Sequence, residues 1–392
     1  MANIAKGSKS GILWKQETSL GVKPTGNWNQ LPFNSESMAE NINPIQSEDM
    51  RLDRRNTAIR GGNIASGGGI VHDFGLIREL PLFRHLLAAG AAAAGSAVTV
   101  NAIAASTAYN RGDYVKNAGN DIYVCVVGGT TDAAVTSSDL TVTSGRQVIV
   151  GASSTELIFE FVAVSGTIIY EHTLTGGTDF LATGLSFEKQ IKGGDTDLYI
   201  VHTGCRINSL DLRVEQEAIA KATWNILSRA STKYGSTQGG TPTLQSQDPV
   251  TGYNALVSLA NDSGSVQRLI KSASLQITNN VDEQVYCFNK RSRSDLPEGV
   301  RRATGNLSFY FQDTTEYDYF KNETEVSLKL SFIYGGAWLE IHMPEVKLFG
   351  AGSPQVSGSG SVMGALDFTA YNQDAAYDIR VKARNLVQNL PV

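Results

Sequence analysis

The chain is built on an internal repeat, and a duplicated unit constrains the fold of its 392 residues more than any other feature. In the first half, Gly62-Asn63-Ile64-Ala65 opens a glycine-rich strand; in the second, Gly305-Asn306-Leu307-Ser308 opens another. A short helix follows each. Over 81–90, Pro81 suits the first helical position and Gly90 the stop, with Leu82, Phe83, Leu86 and Leu87 on one face. Over 313–323, Asp313 is placed to cap with Glu316 three residues on, and Tyr317 and Phe320 point the same way. Leu185-Ser186-Phe187 then matches Leu330-Ser331-Phe332, and a glycine pair follows each, Gly193-Gly194 and Gly335-Gly336. An alternating strand comes next, 197–215 against 338–350, with Arg206-Ile207 standing where Lys347-Leu348 stands. A last strand closes each unit, 222–229 and 364–372. Each match is short; their common order along both halves marks a duplication.

The halves meet at 231–249, a stretch of Gly, Ser, Thr, Gln and Pro suited to a surface connection. The first half also carries extra chain. Roughly ninety residues separate its helix from Leu185, against a handful in the second half. An insertion is therefore expected over 96–178, densest at 107–140, with 114–126 a hairpin turning at Asn117–Asp121. The expected organisation is a first unit from 1–95 and 179–235, the module at 96–178, a linker at 236–249 and a second unit at 250–392. With 39 glycines, many Ser, Thr and Asn, and little helical period, the chain reads as mainly β.

Composition narrows the function classes. Hydrophobic residues at 41% and charged residues at 18% are globular values. A formal charge of -5 without a basic stripe argues against sequence-specific DNA binding and would repel DNA at close range. Cys125, Cys205 and Cys287 form no CxxC pair and are expected reduced and buried. The first residues lack the apolar core of a signal peptide, and 86–105, long enough to span a bilayer, is mostly Ala and Gly with Asn101 inside, so no membrane segment is expected. The glycine run 61–69 lacks the Lys-Ser or Lys-Thr of a phosphate loop. His72-Asp73 has no nucleophile in a recognisable motif, and His72, His85, His172, His202 and His342 show no metal spacing. Catalysis needs converging groups; none are visible, so no enzyme, metal or cofactor is expected.

Several stretches resemble the two-domain major tail tube proteins of long-tailed phages of the siphophage type. They are 31–56, 185–190, 199–214, 277–288 and 346–381, and they cover nearly all of the chain outside the insertion. The resemblance implies tandem β-sandwich or partial-barrel domains, each with one flanking helix. It also implies a structural virion protein that self-assembles into stacked rings, three copies giving pseudo-sixfold symmetry. The rings form the tail tube that conducts the genome into the host. Implied partners are the tape measure protein and the terminator and distal tail proteins. DNA passes without specific binding, no membrane takes part, and assembly occurs in the bacterial cytoplasm.

Two charged loops precede the Gly-Asn strands at equivalent places. One carries Glu48, Asp49, Asp53, Arg54 and Arg55; the other carries Arg291, Arg293, Arg301 and Arg302. They read either as solvated loops, whose exposed ion pairs contribute little, or as contacts that set the register between rings. The insertion resembles small carbohydrate-binding modules of phage surfaces. Its Tyr109, Tyr114 and Tyr123 stack on a sugar or pack the module's own core. The rival functions are accordingly a tail-surface glycan-binding adhesin and a depolymerase, the latter needing a carboxylate pair in a groove.

Overall fold

A computed structural model describes residues 3–49, 58–90, 94–151, 156–244, 247–260, 266–267, 269–350, 354, 356 and 359–391. The first unit contains β1 (Gly11–Gln16), β2 (Ala39–Gln46), β3 (Ile59–Asp73), β4 (Leu185–Ile191), β5 (Leu198–Glu215), β6 (Lys221–Ser228) and β7 (Ala230–Tyr234). The second contains β8 (Ala255–Ala260), β9 (Ile270–Thr278), β10 (Arg302–Tyr310), β11 (Val326–Tyr334), β12 (Ala337–Phe349), β13 (Met363–Tyr371) and β14 (Arg380–Asn385). Helix α1 (Leu80–Leu86) follows β3 and α2 (Thr315–Lys321) follows β10.

Each unit is a β-sandwich. Its outer sheet runs β1-β4-β5-β7, or β8-β11-β12-β14 in the second unit. Its inner sheet runs β2-β3-β6-β5, or β9-β10-β13-β12. The long strands β5 and β12 serve both sheets, their first halves outside and their ends inside. Alternation explains the arrangement: Leu210, Leu212 and Val214 are buried while Asp211, Arg213 and Glu215 face away.

The pairings correct the sequence alignment of the units in detail. A bulge between Leu185 and Phe187 is matched by one between Val326 and Leu328, so Leu185 stands where Val326 stands, four residues from the Leu-Ser-Phe match. Gly68 opposes Ile226 as Gly305 opposes Phe368, so Gly68, not Gly62, is the counterpart of Gly305. A side chain at Gly305 would strike Ser274 O, and one at Gly68 would strike Ser37 O. The Ile207–Leu348 equivalence holds, since these oppose Ile226 and Phe368.

The two sandwiches share one core. Phe74 of the first packs on Phe332 of the second, 5.1 Å between ring centres, and Phe83 of α1 meets Trp224 of β6 at 5.4 Å. Helix α1 is buried on Leu82, Phe83 and Leu86 and ends earlier than Gly90 would place it. Ala88 takes the left-handed conformation (φ 54°) that ends the helix, and the α1 carbonyl of Leu86 accepts a hydrogen bond from Asn279 of the second unit. Helix α2 starts one residue later than an Asp313 cap would place it: Thr314 is its N-cap, and Asp313, outside the helix, accepts from the Thr315 amide at 2.8 Å. No helix among the described residues is long and apolar enough to cross a membrane.

The inserted module is a five-stranded sheet ordered Arg146–Val150, Glu156–Ala163, Ile122–Val127, Tyr114–Lys116 and Asn101–Ala102. Its hairpin turns at Asn117–Asp121, where the Asn117 side chain accepts from the Asp121 amide. The final strand of the expected insertion, Tyr170–Thr175, lies outside the module: it extends the outer sheet of the second unit by pairing with β14, and Ser96–Ala97 pairs beside it.

Two buried histidines make the fold acid-sensitive. Burial, aided by the nearby Arg84 and Arg206 charges, pushes His85 down to about 3; burial lowers His202 to about 4. Their unfolded value is near 6.5. Below that pH the unfolded chain takes up protons that the folded chain refuses, so stability is complete above 6.5 and falls as pH drops towards 4. The unfolding free energy measured in urea should fall from pH 7 to pH 5 by about 2 kcal/mol per histidine, lowering the midpoint. His85→Leu with His202→Leu should shrink the drop. An identical wild-type midpoint at both pH values would contradict this.

Candidate functional site: a polar sheet face with two open edges

Antiparallel pairing of β5 with β9, from Ser209↔Thr278 to Glu215↔Ser272, fuses the inner sheets. The result is one sheet of eight strands, β2-β3-β6-β5-β9-β10-β13-β12. Its core face is apolar. Its other face is laid out in cross-strand rows. One row runs Val71, Thr223, Asp211, Gln276, Thr304, Thr369, Lys347. The next runs Asp73, Lys221, Arg213, Ser274, Asn306, Asp367, Phe349.

Neighbours on this face satisfy one another. Gln276 donates to Asp211 (2.9 Å) and Asn306 to Asp367 (2.8 Å). The carboxylates of Asp73, Asp211, Glu215 and Asp367 are interspersed with Lys221, Arg213, Arg302 and Lys347, and the rest is hydroxyl and amide. A hollow of about 350 Å3 lies on this face across the joint, bordered by Asp211, Arg213, Ser274, Gln276, Thr304 and Asp367. Such a surface has no cationic stripe to hold phosphates and no apolar patch to hold bases.

The sheet ends in two unlike edges. At one, every residue of β2 is exposed, including Ile45 at 62%, and Pro44 sits within it as is usual for edge strands. At the other, the end of β12 has β13 on one side only, and Phe349 is 47% exposed. An open edge with exposed apolar side chains is a surface for another strand.

The charged loops divide. Glu48 and Asp49 are exposed, whereas Asp53, Arg54 and Arg55 lie outside the described residues. The second loop is mostly spent inside the subunit, contrary to its expected role between rings. Arg293 is only 3% exposed at its side chain and donates to Ser66 O (2.6 Å) and Ser228 O (3.1 Å) of the first unit, while pairing with Glu283. Arg291 donates to Gly62 O, and its own carbonyl accepts from the Ile64 amide. Arg301 forks onto Asp378 and reaches Leu87 O and Gly177 O. A buried guanidinium must find acceptors, and the nearest were carbonyls of the other repeat. Arg302 alone of the four points from the exposed end of β10.

The module tyrosines are likewise inward, correcting their reading as surface aromatics. Tyr123 is fully buried and donates to Val142 O. Tyr114 is buried where the module meets the second unit, donating to Gly336 O at 2.9 Å. Tyr109 is half-buried, packed edge-on against Phe159 with its hydroxyl taken by the Ala104 amide. Sequence alternation cannot tell a half-wet strand face from one docked on a neighbouring domain. Arg111 donates to Asn254 O, Arg384 to Gly112 O, and Trp338 lies against Gly112, where a side chain would clash. Cys125 and Cys205 are buried, burial pushing Cys125 up to about 12, but Cys287 is exposed, against expectation.

A family model described as phage tail tube protein matches residues 7–370. No curated protein matches the chain.

Replacing Arg293 by Ala removes the guanidinium donor from Ser66 O and Ser228 O, leaving Ser228 O with the 3.3 Å bond from the Ser66 hydroxyl. The free subunit should lose about 2–4 kcal/mol in urea unfolding, and the 279–301 loop should become protease-sensitive. Unchanged stability would return Arg293 to a role outside the subunit.

Proposed function

The chain belongs to the phage tail tube protein family, and from that premise we propose that three copies close edge to edge into a ring and that rings stack into the tail tube. The observation that carries this reading is the eight-stranded sheet, made of two equivalent four-strand units and ending in two complementary open edges. The contact is heterologous, so it must close on itself or run on indefinitely.

Size favours three. Three chains give about 24 strands, and at ~4.8 Å per strand with a tilt of about 40° the backbone circle is about 48 Å across. Two chains give about 32 Å. Side chains fill about 10 Å of either. Only the larger bore passes a duplex with its hydration. The polar rows then line the lumen, and their mixed charge suits passage without capture during genome ejection. The tape measure protein would occupy the same bore before ejection, and terminator and distal tail proteins would meet the end rings. The site of the finished product is the virion.

The module docks on the outer sheet of the second unit, so in this ring it decorates the exterior. A glycan contact there would have to use its exposed loops, since Tyr114 and Tyr123 are inside.

Electron micrographs of concentrated protein should show tubes. A peptide tag inserted beside Gly145, whose surroundings are open, should bind antibody equally on tubes and on free subunits. Particles that never polymerise, even with tail partners added, would refute the tube; a tag masked only in tubes would refute the outward module.

A further inference from the structure

The joint within the chain specifies the joint between chains: we infer that Phe349 of one copy lies opposite Asn41 of the next, with β12 and β2 antiparallel. This rests on the ring reading above and adds its register and its partner residues. Each unit offers the same two edges, one of the β2/β9 type and one of the β5/β12 type. Inside the chain the β5 edge takes β9. What remains is one edge of each type, β2 and β12, on a second copy of the same molecule.

The register follows from two equivalences that use different atoms. The first concerns β2. Gly68 and Gly305 oppose the equivalent residues Ile226 and Phe368. Each is a glycine because a neighbouring serine carbonyl occupies the place of a side chain, Ser37 O for Gly68 and Ser274 O for Gly305. Ser37 therefore corresponds to Ser274, and four residues on, Asn41 corresponds to Thr278. The second concerns β12. Asn225 and Asp367 are equivalent, each preceding its Ile226 or Phe368 by one residue. Asn225 opposes Ser209, and Asp367 opposes Phe349. Phe349 therefore corresponds to Ser209, Asn208 being the extra residue of a bulge in β5 that β12 lacks.

Ser209 opposes Thr278 within the chain, so Phe349 opposes Asn41 between chains. Both directions are consistent, because strand sense alternates across the sheet and leaves β2 and β12 antiparallel at its ends. The pairing places Phe349, exposed at 47% in the free subunit, against the neighbouring chain's edge. A slip of one residue would turn the alternate side chains of the joining strand to the wrong face.

The test is cysteine cross-linking in assembled tubes, in a Cys287→Ser background because Cys287 is exposed. Phe349→Cys with Asn41→Cys should oxidise to a covalent dimer and a closed trimer on a non-reducing gel, in tubes and not in dilute subunits. Phe349→Cys with Glu40→Cys should not. Ser209→Cys with Thr278→Cys should close within a single chain, showing that this geometry admits the bond. Where the cysteine variants fail to assemble, hydrogen exchange of wild-type protein decides: peptides spanning 35–41, the counterpart of 272–278, should slow several-fold on assembly, and peptides spanning 272–278, already paired, should not. Tubes that cross-link only through Glu40, or whose 35–41 amides stay fast, overturn the register but leave the tube standing. Wild-type protein that never forms tubes overturns the tube itself.

Discussion

Seven residue pairs between β5 and β9 decide the character of this subunit. Backbone hydrogen bonding across Ser209–Glu215 and Ser272–Thr278 turns two sandwiches into one continuous sheet. Once that joint exists, half of each unit's edge requirement is met internally, and the unmet half is displaced to the two ends of the molecule. Long exposed edges are normally blunted. Here β2 is exposed over its whole length, broken only by a bulge and Pro44, which would be tolerable in the proposed ring, where copies of the chain cover one another's edges.

The rest of the structure holds that joint rigid. Phe74 and Phe332 place one core beneath both units. The loop after β9 folds back over β3 and anchors through Arg293, a fully engaged guanidinium among carbonyls of the opposite repeat. Arg301 and Asn279 tie the end of α1 to the second unit. A joint with this reinforcement presents its two outer edges in a fixed relation, and the proposed ring would need that relation to be the same in every copy. The inserted sequence adds a brace: Tyr170–Thr175, outside the module, pairs with β14, and Tyr114 of the module reaches Gly336 of the second unit.

Much of this was legible in the sequence, and the failures have physical reasons. The mainly β character, the order of strands and helices and the hairpin at Asn117–Asp121 all followed from pattern. Register did not. The run at 61–69 offers several glycines, and only contact with Ser37 O singles out Gly68. Leu185-Ser186-Phe187 matched Leu330-Ser331-Phe332 four residues out of step because a slip by an even number preserves the in-and-out pattern. The arginine loop read as solvent-facing because charge density carries no information about acceptors supplied 227 residues away, as Ser66 O is to Arg293. For Tyr114 and Tyr123 the sequence left a sugar-binding face and core packing both open, because a docked strand and a wet strand alternate alike. The rows of the polar face could be named only after the pairings were known.

The central claim is that the chain is two ring units in one, so that three chains supply six. Averaged end-on projections of assembled tubes test it most directly. The account predicts a wall of six similar lobes with threefold symmetry, and one peripheral knob on every second lobe where the module sits on the second unit. A wall with a different number of lobes, or a knob on every lobe, would contradict it.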